Sequence, residues 1–205
     1  MSQESLRKVL SKAYGGAAKI LGTEYTIYRP VSLLNSMDTQ NIIGKQKASF
    51  TLSRSYEHDQ KEHYSFYICY TKHLGIKEGD IFNAGDVTYV IVWNQGIEDV
   101  MAMRAFHLVK ILRATYTTTS GLDTLTSVIA NNVPASFAGQ ASKTTVSLPH
   151  VANTAQTPRY ELRIFTPGMK ILQTDNIQLE NGQLLHIDTI EQNQFYQTLI
   201  CSQVP

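Results

Sequence analysis

From Gly22 onwards the chain alternates apolar and polar residues with a period of two, in short runs that stop at Gly, Pro or Asn. Such a period puts every second side chain on one face, so each run reads as a half-buried β-strand rather than a helix. Thr23 to Pro30 alternates with Tyr25 and Ile27 on one side, and Pro30 stops it. Lys47 to Ser53 and Tyr64 to Tyr70 alternate likewise, separated by a charged stretch from Arg54 to His63. Asp80-Ile81-Phe82 and Val87 to Trp93 flank Asn83-Ala84-Gly85-Asp86, a turn in which Gly takes a positive φ at little cost. Arg104 to Arg113 reads as a further strand that pairs back on this hairpin. About six short strands joined by hairpins and no convincing helix predict a small β-barrel or sandwich over residues 23–113.

The C-terminal part repeats the theme. Asp175, Ile177, Leu179, Gly182-Gln183 and Leu185-His186-Ile187 follow in the order of Asp80, Ile81-Phe82, Gly85-Asp86 and Tyr89-Val90-Ile91. This suggests a degenerate internal duplication. The expected fold is mainly β: two small β-barrel or sandwich modules preceded by a short N-terminal amphipathic helix. The helix occupies 1–22, the first module 23–113, a Thr-rich linker 114–126 and the second module 127–205. A long polar arm at 139–157 interrupts the second module, since loops of that length in compact domains are usually functional or disordered. Within the arm, Thr144-Thr145-Val146-Ser147-Leu148 alternates like a strand and suits addition to another chain's sheet edge. Exposed edges of short strands are the expected pairing sites of such modules.

In the N-terminal segment, Leu6, Val9, Leu10, Ala13, Ala17 and Ile20 recur at helical spacing, with Arg7, Lys8, Lys12 and Lys19 on the polar side. Ser5 suits the cap, and Gly15-Gly16 interrupts the pattern at about 1 kcal/mol per Gly relative to Ala. A helix this short needs a surface to dock on.

Composition narrows function without naming it. The hydrophobic fraction of 42% allows a core, and 205 residues with a formal charge of +1 do not describe a disordered chain. Proteins that live on nucleic acid or anionic membranes usually carry more positive excess. No apolar run reaches signal-peptide or membrane-spanning length, so a soluble protein made in a cytoplasm is expected. Cys69 and Cys201 lie in apolar stretches and read as buried free thiols, with a pairing between them left open. His58, His63, His73, His107, His150 and His186 lack metal-ligand spacing. No P-loop, nucleophile elbow, dinucleotide fingerprint or CxxC motif occurs. Asp80, Asp86, Asp175 and Asp188 flank turns, where Asp is ordinary turn chemistry rather than a catalytic pair. Tyr56, Tyr64, Phe66, Tyr67 and Tyr70 lie near Arg54, Lys61 and Lys72, an interleaving that OB-folds use to stack single strands. Both faces of Tyr64 to Tyr70 are apolar, which favours a barrel core or a subunit interface.

The layout resembles the neck proteins of tailed phages: the head-closure, head–tail adaptor or head–tail joining proteins, also found in gene transfer agents. The segments that carry the likeness follow the N-terminal basic helix. They are Ile27-Tyr28-Arg29-Pro30, the Gly79 to Ile91 hairpin, the closing strand Val109 to Arg113, the opening strand Val133 to Gly139, and the Thr174 to Asn193 hairpin. In the last, Leu185 or His186 replaces the aromatic of the family pattern. The resemblance implies a structural virion component with no enzymatic activity and no cofactor. It implies a homo-oligomeric ring at the head–tail interface, with the portal or an adaptor on the head side and tail proteins on the other. DNA would pass through the channel without sequence-specific binding, and no membrane is involved. Partner docking falls on Lys8, Lys12 and Lys19, facing an acidic neighbour, and on Thr144, Val146 and Leu148 of the arm. A single-strand-binding OB-type protein and a phage spike or fibre subunit are the alternatives.

Overall fold

The computed structural model describes residues 3–31, 33–53, 66–72, 75–95, 99–116, 124–140, 159–166, 169–192 and 196–203. A helix, α1 (Gln3–Leu21), leads into twelve strands. The first six are β1 (Thr23–Tyr28), β2 (Ile42–Leu52), β3 (Phe66–Tyr70), β4 (Ile81–Ala84), β5 (Val87–Trp93) and β6 (Met101–Ala105). They close into an antiparallel barrel in the order β1-β2-β3-β6-β5-β4. The second six are β7 (His107–Tyr116), β8 (Thr124–Gln140), β9 (Arg159–Ile164), β10 (Asp175–Gln178), β11 (Leu184–Gln192) and β12 (Gln197–Gln203). They close in the order β7-β8-β9-β12-β11-β10. Each strand of the second barrel therefore occupies the place of the strand six earlier in the first, so the two barrels share one plan.

The alternation read from the sequence is the inside–outside pattern of these barrels. Tyr25, Ile27, Ala48, Cys69, Phe82, Tyr89 and Ile91 fill the first interior, with Phe50 stacked on Tyr89 at 3.8 Å between ring centroids. Val109, Ile111, Val133, Leu162, Ile164, Ile177, Leu185 and Leu199 fill the second. The hairpins align as the repeat predicts. Phe82 faces Tyr89 across β4–β5, and Ile177 faces Leu185 across β10–β11.

Three expectations are corrected. The stretch 104–113 is not a closing strand of the first module. It divides at Phe106, and β7 opens the second barrel by pairing with β10, Ile111 opposite Ile177. Val109 and Ile111 are fully buried there, and burial in the second core outweighs continuity with β6. The first module thus ends at Ala105, and the second begins at His107, not at 127. The expected linker 114–126 is corrected at its two ends, where 114–116 and 124–126 pair with one another as parts of β7 and β8; 117–123 lie outside the described residues. Finally, both barrels are closed, so neither sheet ends in an edge strand. Of the arm at 139–157, residues 139–140 end β8, and the rest, including Thr144, Val146 and Leu148, lies outside the described residues.

One polar device is repeated in both barrels. Arg29, just after β1, donates through Nε and Nη2 to the carboxylate of Asp80, each at 2.7 Å. Arg113 in β7 does the same to Asp175, again at 2.7 Å twice. Each aspartate also accepts a 2.8 Å bond from the backbone N–H three residues before it, Lys77 or Leu172. Each arginine also reaches the carbonyl five residues before its aspartate, Gly75 or Lys170. Both carboxylates are completely buried. Asp80 and Asp175 are thus clamps that tie the segment entering the fourth strand to the first strand. This shared geometry is stronger evidence of duplication than the hairpin chemistry.

Described residues of the two barrels meet in several places. Ser36 N–H donates to the Asn131 carbonyl, and Asn132 Nδ2 donates to Asn35 Oδ1 at 2.8 Å. Asn132 has a φ of 52°, a left-handed kink in β8 that Asn tolerates well. Elsewhere Val92, Met101 and Met103 on the outside of the first barrel gather Phe66, Trp93 and Phe165. Phe66 lies 6.1 Å from the Tyr196 ring, which the buried Arg163 guanidinium covers at 4.8 Å.

Candidate functional site: a lysine groove beside the N-terminal helix

The helix α1 runs unbroken from Gln3 to Leu21, through Gly15-Gly16 and from two residues ahead of the expected Ser5 cap. Its three faces do different things. Ser11 and Ala18 are buried on the first barrel, and Tyr14 and Gly15 are half-buried between them. These residues recur at three and four, so small side chains rather than the apolar stripe form the docked face. Tyr14 anchors it: its ring meets Tyr70 edge-on at 5.2 Å, and its hydroxyl donates to Asp99 Oδ1 at 2.6 Å. That bond, burial and the carboxylate's charge push the phenol up to about 12. At the helix end Gly22 N–H donates to the Ala18 carbonyl at 2.8 Å. A Cβ on Gly22 would lie 2.3 Å from that oxygen and 2.9 Å from the Ala48 carbonyl, so only glycine lets α1 come this close to β2.

The helix docks, as a helix this short requires, but not through its apolar stripe. Leu6, Val9, Ile20 and Leu21 are 39%, 56%, 84% and 77% exposed, and they point away from the barrel. The barrel interior is already filled by its own strands, and closely approaching backbones favour small residues at the contact.

The third face carries Lys8, Lys12 and Lys19, spaced at four and seven. They look across a groove of about 760 Å³ to Lys45, Lys47 and Lys72, with Gly15 and Gly16 on the helix side. Lys45 and Lys47 alternate outward on β2, while the intervening Gln46 turns inward and donates to Thr71 Oγ1 and the Lys72 carbonyl. All six lysines are exposed, and no carboxylate lines the groove among the described residues. Two described acids neighbour these lysines: Glu4 pairs with Lys8 at 2.9 Å, and Glu24 stands opposite Lys47 on β1.

Sequence reading singled out three of the six. Lys45-Gln46-Lys47 shows a strand with two outward lysines, but nothing local reveals that α1 lies beside β2. The other candidates fall elsewhere. Phe66, Tyr67 and Tyr70 are committed to Tyr196, Tyr89 and Tyr14 respectively. Tyr56 and Tyr64, with His58, His63, His73 and His150, lie outside the described residues. His107 packs edge-on against Phe137 at 4.7 Å, and His186 Nδ1 lies 3.4 Å from Asn176 Oδ1. Asp188 accepts from Ser202 Oγ at 3.0 Å. Cys69 and Cys201 are free and buried in different barrels. No metal-binding group of His, Cys, Asp and Glu exists among the described residues, and none of their helices is long and apolar enough to cross a membrane.

No family model matches this chain, and no curated protein or solved structure matches it either. The reading of the groove therefore stands on its geometry. Six like charges on α1, β2 and the segment after β3 repel one another by a few tenths of a kcal/mol per exposed pair. An anion laid along the groove reverses that term. Exposed lysine stems also offer methylene surface beneath their charged tips.

Proposed function

We propose that this chain is a structural, non-enzymatic subunit that joins the DNA-filled head of a tailed phage to its tail, as one member of a ring in the neck. The observation that carries the reading is the outward apolar face of α1. Leu6, Val9, Ile20 and Leu21 are large, exposed and held on a helix that is fixed to the barrel by its opposite face. Such a stripe on a rigid scaffold fits a neighbouring subunit, because burying it there recovers about 25 cal/mol per Å². A ring needs two different, complementary flanks on each subunit. Here α1 supplies one flank, and the tandem barrels supply a body with other surfaces for the next subunit. The portal or an adaptor would lie on the head side and tail proteins on the other, with DNA passing through the channel. In the single-strand-binding alternative the stacking rings must be available, whereas Phe66, Tyr67 and Tyr70 are engaged with other rings of this chain.

The test is assembly. The purified chain is expected to be monomeric or weakly associated by mass photometry, and to form rings visible by electron microscopy with its portal or adaptor. Ile20→Glu should abolish ring formation and leave the melting temperature unchanged, because Ile20 contributes almost nothing to the folded chain's own core. Normal assembly of Ile20→Glu, or a tight dimer that persists at nanomolar concentration, would overturn the reading.

A further inference from the structure

We propose that the groove between α1 and β2 holds an extended, acid-rich polypeptide segment of a partner protein. The inference stands on the groove and is independent of whether the assembly is a phage neck.

Three observations select this occupant. The first is charge: six lysines face one space with no carboxylate among its described lining residues, in a chain whose formal charge is only +1. A third of the 18 basic residues is thus concentrated at one place. The second is size. About 760 Å³ falls within the usual range of roughly 300–1,000 Å³ for clefts that enclose a small ligand or a short stretch of chain. A DNA duplex presents its charges along a body too broad to enter such a cleft. The third is chemistry. Among the described residues the lining has no aromatic ring, the platform on which single-stranded nucleic acids gain about 1–3 kcal/mol per base. The described lining has no arginine either, so its cations are lysines rather than guanidinium forks set for a phosphate in fixed geometry. Lysines on flexible stems suit several carboxylates whose positions vary along an extended strand, with the stems packing on the small apolar side chains between them. Gly16 leaves the helix side open, since a Cβ there would meet nothing within 4 Å, and a peptide backbone can lie close to it.

The probe is a fluorescein-labelled ten-residue peptide alternating Glu with Ala, compared with its Gln-for-Glu counterpart, a 20-nucleotide single strand and a 20-base-pair duplex. Anisotropy is followed with the full chain at 150 mM salt. The acidic peptide should bind, the Gln peptide should not, and both nucleic acids should bind more weakly than the acidic peptide. Combining Lys12→Gln, Lys45→Gln and Lys47→Gln should weaken binding at least about tenfold, while Lys→Arg at the same three positions retains it. A matched triple at Lys77, Lys110 and Lys170 should change little. Carbodiimide coupling, which joins an amine to a carboxylate with loss of water, should attach the peptide at the groove lysines. The single Lys12→Glu variant serves if the triple variant fails to fold, and it should lose binding too. No binding of the acidic peptide, binding that survives Lys12→Glu, coupling that maps elsewhere, or tighter binding of either nucleic acid would each overturn the proposal.

Discussion

Replacing Arg29 with Met should destabilise the first barrel more than replacing Asp80 with Ala, although both remove the same ion pair. The asymmetry follows from burial. Asp80's carboxylate is 0% exposed, whereas the Arg29 side chain is 32% exposed. Without Arg29, the carboxylate loses two 2.7 Å charged hydrogen bonds and keeps the 2.8 Å bond from Lys77 N–H, with no route to water. Stranding a buried charge in this way costs about 3–5 kcal/mol. Without Asp80, the guanidinium can turn its donors to solvent, and the loss approaches that of a hydrogen bond to a charged group, about 1.5–3 kcal/mol. Trp93, the single tryptophan, lies on β5 of this barrel, so its fluorescence during urea unfolding reports the barrel directly. With a urea slope of about 1–3 kcal/mol per molar, the Arg29→Met midpoint should fall by about 1 M or more. The duplicated clamp provides an internal control. Arg113 is 33% exposed beside a fully buried Asp175, so Arg113→Met and Asp175→Ala should repeat the same order when followed by circular dichroism. An Arg29→Met cost below about 1 kcal/mol, or one smaller than that of Asp80→Ala, would refute the argument.

Two glycines of the helix region should respond with opposite signs. Gly16→Ala meets open space and should stabilise by about 0.5–1 kcal/mol, whereas Gly22→Ala collides with two backbone carbonyls and should cost about 1–3 kcal/mol, both read by urea unfolding. The phenol of Tyr14, raised above its usual 10, should ionise near pH 12 in the 295 nm difference between wild type and Tyr14→Phe. Its folded value exceeds its unfolded one, so its contribution to stability holds below pH 10 and is lost as pH rises through about 12; a midpoint near 10 would contradict the bond to Asp99. Burial pushes the Cys69 thiol up, and burial with the Asp188 charge pushes Cys201 up to about 12. Neither thiol should react with a disulfide reagent at pH 8 until urea unfolds the chain, and rapid labelling of the native protein would show that one of them is accessible.

The class of fold is legible along the chain, because period-two alternation and Gly-bearing turns are local signals set by backbone geometry. Tyr25 and Ile27, Phe82 and Tyr89, and Ile177 and Leu185 point inward as their spacing requires, and the repeat of hairpins announced a repeat of barrels. What the sequence left open was everything that depends on which strand meets which. The His107–Tyr116 strand follows β6 after one residue, yet it belongs to the other barrel, because β10 is paired only with β11 until Ile111 stands beside Ile177 on its other edge. The arginine–aspartate clamps span 51 and 62 residues, and no window along the chain links such partners. The helix teaches the same lesson more sharply. Its amphipathic pattern located it correctly, but an apolar stripe says only that some surface will cover it, not that this chain provides that surface. Close approach at Gly22 and the anchor of Tyr14 on Asp99 decided that the small face docks. That rotation turns Leu6, Val9 and Ile20 outward and brings three helical lysines opposite three others. The groove therefore exists only in the tertiary structure, since half of its charges come from a helix and half from segments more than twenty residues away in sequence.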